Sequence, residues 1–107
     1  MTDLLLVLTS FSDADQARRA ARVLVEERLA ACVSLLPGAE SIYRWQGAVE
    51  TVAEVLVLIK TRADLHDRLV ARLGELHPYE VPEILALRPD QVSPAYRQWL
   101  LAETEAS

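Results

Sequence analysis

The chain of 107 residues contains one cysteine, one lysine, two histidines and three glycines. The lone Cys32 excludes an internal disulfide, and no Cys-x-x-Cys or Cys/His pair has zinc-site spacing. Three glycines are too few for a glycine-rich phosphate loop. A Ser/His/Asp order and a His-x-x-x-His pair are also missing, so nothing supports a nucleophilic or nucleotide-dependent enzyme. Leu4 to Leu8 is a short apolar run preceded by Asp3 rather than by a basic stretch, too short to span a membrane and unlike a signal peptide. Eleven basic residues are scattered among sixteen acidic ones, for a net charge of −5, which makes nucleic acid a poor partner. A reducing, cytoplasmic setting away from membranes fits this composition.

What is present is a core-building composition, 51% apolar, with no internal linker or repeat, and it predicts one domain over 1–107. Leu4 to Leu8 reads as a strand closed by Thr9-Ser10-Phe11-Ser12-Asp13. A helix follows, capped by Ser12 or Asp13, with Ala17, Ala21, Leu24 and Arg28 on one stripe. Ala31 to Leu36 reads as a second strand ended by Pro37-Gly38. Ser41 to Trp45 and Val49 to Lys60 form a hairpin through Gln46-Gly47. Thr61-Arg62-Ala63-Asp64 resembles a capping box before a helix with Leu65, Leu69, Leu73 and Leu76 on its apolar stripe, and His66 lies opposite, in solvent. Glu83 to Arg88 reads as a last core strand, and Ser93-Pro94 opens a third helix through Leu101. The fold class is therefore α+β, a ferredoxin-like split β-α-β arrangement (βαββαβ plus a C-terminal helix) on an antiparallel sheet.

Two features point beyond a monomer. A sheet covered on one side should alternate apolar and polar residues, yet Leu4 to Leu8 and Val55 to Ile59 are apolar on both faces. A strand from Val49 to Lys60 also extends about 40 Å, longer than the roughly 34 Å diameter of a compact chain this size. The hairpin should overhang its domain and, with Tyr43 and Trp45 near its tip, pack on another copy in an obligate homo-oligomer. A bent hairpin folding back on itself is the alternative.

The densest chemistry lies in His77-Pro78-Tyr79-Glu80-Val81-Pro82-Glu83-Ile84, where two prolines stiffen a bridge from helix to strand. This block, together with Leu29-Ala30-Ala31-Cys32-Val33, Ile42-Tyr43-Arg44-Trp45-Gln46-Gly47, Glu50, Glu54, Ile59-Lys60-Thr61, Tyr96 and Trp99, resembles the CutA family of divalent-cation tolerance proteins. The resemblance implies an intertwined homotrimer, similar in architecture to the trimeric nitrogen-signalling regulators. It also implies a link to copper and other divalent cations without an established reaction. Ala48 stands where family members usually carry lysine, and Thr9 and Arg72 occupy positions where some relatives carry extra cysteines.

Candidate metal residues are Cys32, His77, Glu80 and Glu83. A thiolate suits Cu(I) and an imidazole suits borderline ions. Cys32 reads first as a small core hydrophobe, and His77 first as a helix-end cap. In an extended segment Glu80 and Glu83 project to opposite faces, which argues against a preformed two-carboxylate chelate. Tyr43, Trp45, Glu54, Lys60, Tyr79 and Trp99 are the candidates for an intersubunit ligand pocket, where Lys60 could hold a small anion; the aromatic residues serve equally well as packing between subunits. The leading expectation is a non-enzymatic trimer binding Cu2+ or a similar cation. The alternative is a small-molecule sensor or interaction scaffold.

Overall fold

A computed structural model describes residues 3–105. The elements are β1 (Leu4–Phe11), α1 (Ala14–Glu26), β2 (Cys32–Trp45), β3 (Ala48–Arg62), α2 (His66–Leu76), β4 (Leu85–Leu87) and α3 (Pro94–Glu103). The sheet order is β2-β3-β1-β4 with every neighbouring pair antiparallel, the expected ferredoxin-like topology. The ends of the domain expected over 1–107 lie outside the described residues.

Asp13 caps α1, its carboxylate accepting from the amides of Asp15 (2.7 Å) and Gln16 (3.1 Å). The small residues Ala17, Ala20 and Ala21 let α1 lie close on the sheet, and Leu24 completes the buried stripe. Arg28, expected on that stripe, lies past the helix end at φ 60°, where the chain reverses into β2. In α2, Leu69 and Leu73 are buried and His66 is half-exposed beside Asp67. Thr61 is no cap. It is the buried penultimate residue of β3, and its hydroxyl donates to the Leu29 carbonyl (2.7 Å) while a 3₁₀ turn over Ala63–Leu65 leads into α2.

Register divides the strands cleanly between two faces. Leu5, Val7 and Phe11 of β1 join Val55, Val57 and Ile59 of β3 against α1 and α2 in the main core. The opposite face carries three cross-strand rows: Leu87, Leu6, Lys60 and Cys32; then Leu85, Leu8, Leu58 and Ser34; then Ser10, Leu56 and Leu36. Its Leu4 end is covered by Leu100 of α3 with Ala31, and Ser10 and Glu54 are buried towards the other end. β4 is shorter than the expected Glu83 to Arg88 and is not a core strand, for Leu85 and Leu87 are exposed on this same face.

Pro37-Gly38 does not end a strand. β2 runs continuously through it as a bulge, the register shifting between Leu36 and Ala39 with Gly38 at φ 86°. A bulge tolerates the missing proline N–H, and the extra residue reverses which side chains face which way. Beyond it Ser41, Tyr43 and Trp45 therefore share the open face with Glu54. Gln46 and Gly47, both at positive φ, make the two-residue turn that closes the hairpin. The hairpin overhangs as expected: the long axis is 44 Å and the radius of gyration 14.4 Å, against roughly 13 Å for a compact chain of this length.

Candidate functional site in a cleft on the open face

The hairpin and the segment after α2 enclose a cleft of about 520 Å³ on the open face. Its walls are Tyr43, Trp45 and Tyr79, and its charged lining is Glu54, Glu80 and Glu83, with no basic residue. Both carboxylates of the proline-rich segment line the cleft because residues 79–81 bend instead of extending. Glu54 is only 8% exposed. One of its oxygens accepts from the Tyr79 hydroxyl (3.0 Å), and no cation contacts it among the described residues. Burial, followed by the bond to Glu54, pushes the Tyr79 phenol above its usual range, although a bond with Ser12 opposes this. Tyr79 thus remains a donor across the physiological range.

His77 anchors this wall from beneath. At 7% exposure it stacks on Phe11 with centroids 4.2 Å apart, and its Nε2 lies 2.6 Å from the Ser10 carbonyl oxygen. A carbonyl can only accept, so Nε2 carries the proton, and Nδ1 accepts from the Tyr79 amide (3.1 Å). Both ring nitrogens are therefore engaged in holding Tyr79 in position. A metal could use Nδ1 only after displacing that amide.

The remaining candidates gather elsewhere. Lys60 donates to Ser34 and reaches Cys32 Sγ at 3.7 Å. Tyr96 lies close enough to feel Cys32; burial, more than that thiol, holds its phenol above the usual range. Its ring lies 5.6 Å from that of Trp99. Lys60 and Glu54 are six residues apart on β3, about 20 Å. The pocket expected from Tyr43, Trp45, Glu54, Lys60, Tyr79 and Trp99 is thus two separate clusters within one chain. The expected metal set divides in the same way, Cys32 lying apart from His77, Glu80 and Glu83. Among the described residues no three His, Cys, Asp or Glu side chains come together to hold an ion. Sequence reasoning did not find Ser34, Ser41 or the packing of Tyr96 near Cys32. The face reversal at Pro37-Gly38 was the available signal for Ser41.

The family model of the CutA1 divalent ion tolerance protein matches residues 5–103. The chain is 46% identical over 99 residues to the divalent-cation tolerance protein CutA of Thermus thermophilus, covering 92% of this chain and 96% of that one. It is 39% identical over 102 residues to the protein of that name from Pyrococcus horikoshii, covering 95% and 99%. The crystal structure of CutA from Xylella fastidiosa superposes with a TM-score of 0.94 at 45% identity, covering 96% of this chain and 99% of that one. Fold and sequence agree along the chain, which belongs to the CutA1 divalent ion tolerance family.

Proposed function

We propose that this protein is a non-catalytic, cytoplasmic homotrimer of divalent-cation tolerance that binds Cu2+ or a similar cation with modest affinity. The observation that carries this reading is the sign of the cleft: Glu54, Glu80 and Glu83 line it and no basic residue does. Such a lining concentrates cations. With no three-ligand set preformed among the described residues, affinity has to be modest, and Glu80 and Glu83 are the accessible donors. His77 contributes if it releases the Tyr79 amide, and Cys32 forms a separate soft-ligand position. The family name supports a role in tolerance rather than a reaction. Calorimetry with Cu(II) and Zn(II) provides the test: Glu80→Gln with Glu83→Gln should weaken binding at least about tenfold. Unchanged affinity would remove the cleft from the reading.

The leucine rows of the open face support the assembly. Leu6, Leu8, Leu36, Leu56, Leu58, Leu85 and Leu87 form one apolar surface that this chain leaves largely uncovered. The second reading, a sensor with a small-molecule ligand, is favoured by the aromatic walls of the same cleft. The ligand would be neutral or cationic instead of anionic, because Lys60 is not among its walls.

A further inference from the structure

Lys60 is the chain's only lysine and makes no ion pair among the described residues. It is half-buried on the leucine-rich face, between Leu6 and Cys32, where a second copy would remove the remaining water. An ammonium buried in an apolar interface without a counter-charge is strongly unfavourable. The complementary deficit lies on the same face. The cleft holds three carboxylates and, among the described residues, no cation, and the hydrogen bond that Glu54 receives at 8% exposure comes from the neutral Tyr79 hydroxyl.

The two deficits are about 20 Å apart along β3, so they cannot cancel within one chain. They can cancel between copies arranged head to tail, since each interface of a closed ring then brings one lysine end to one cleft end. We infer that Lys60 of one subunit enters the carboxylate cleft of the next, which is thereby a composite site completed across the interface. The aromatic walls Tyr43, Trp45 and Tyr79 suit an ammonium, which is attracted to ring faces as well as to carboxylates. This rests on the homo-oligomer reading above. The same carboxylates attract a divalent cation, so metal entry and the lysine contact compete for one cleft.

Zero-length carbodiimide cross-linking of the native protein tests it, because a single lysine gives a single side-chain amine to trace. The expected result is a covalent dimer and higher species whose linked peptide joins Lys60 to Glu54, Glu80 or Glu83. Light scattering on the same sample separates the two readings. An oligomer in which Lys60 links to none of the three overturns the composite site and leaves the assembly standing. A monomer overturns both. As a second arm, Lys60→Glu should raise the concentration needed for assembly at least about tenfold, and adding Glu80→Lys with Glu83→Lys should restore it. Native-like assembly of Lys60→Glu, or no restoration by the reversed pair, counts against the inference.

Discussion

β3 presents apolar side chains on both sides, and the two sides meet different fates. Val57, 2% exposed, is sealed beneath α1 and α2, whereas its neighbour Leu56 remains 40% exposed one residue away. Similar side chains on the same strand therefore have different surroundings. The inner set builds the core, and the outer set stays on the open face. Composition alone cannot separate them, because each side chain's role depends on which face its register gives it.

Opposite faces should break in opposite ways. Val57→Asp places an unpaired charge in the intrachain core, a cost of several kcal/mol against a total stability of about 5–15. No folded species of any size should then be recovered, as read by circular dichroism. Leu56→Asp charges only the open face. The subunit should keep its secondary structure and lose its assembly, and its melting temperature should no longer rise with protein concentration. A folded oligomer from Leu56→Asp would contradict the comparison. A third contrast, smaller and local, concerns the cleft wall. Tyr79→Phe removes the hydrogen bond to Glu54 at a cost of about 1 kcal/mol and leaves the hydroxyl's neighbours in place. The folded state raises the Tyr79 phenol's pKa, so its contribution is complete below the unfolded value near pH 10 and is lost as pH rises through the folded value. Absorbance titration should show two late-ionising tyrosines in the native protein, Tyr79 and Tyr96, and only one in Tyr79→Phe. Loss of an ordinarily ionising tyrosine instead, with the late component unchanged, would place Tyr79 in ordinary solvent.

The element order was legible because hydrophobic periodicity and turn chemistry are local properties. Asp13, the Leu69-Leu73 stripe and the Gln46-Gly47 turn each act within a few residues, and each formed as expected. The failures share a cause. Pro37-Gly38 looked like a strand end but became a bulge, since the neighbouring strand continued the ladder across it. An extended segment would send Glu80 and Glu83 to opposite faces, but the bend at 79–81 brings both to the cleft. On sequence alone His77 fits a ligand or a cap, and the carbonyl of Ser10, 67 residues away, fixes its orientation.

The sequence by itself determined the α+β order and the overhanging hairpin, because these follow from residue type, spacing and strand length. The tertiary structure alone decided which candidates share a site. The bulge carried Ser41, Tyr43 and Trp45 to the face of Glu54, and strand length keeps Lys60 away from Glu54 within one chain. Face and distance are properties of the folded sheet, where a one-residue insertion reverses every side chain beyond it and six residues of strand put two charges out of each other's reach.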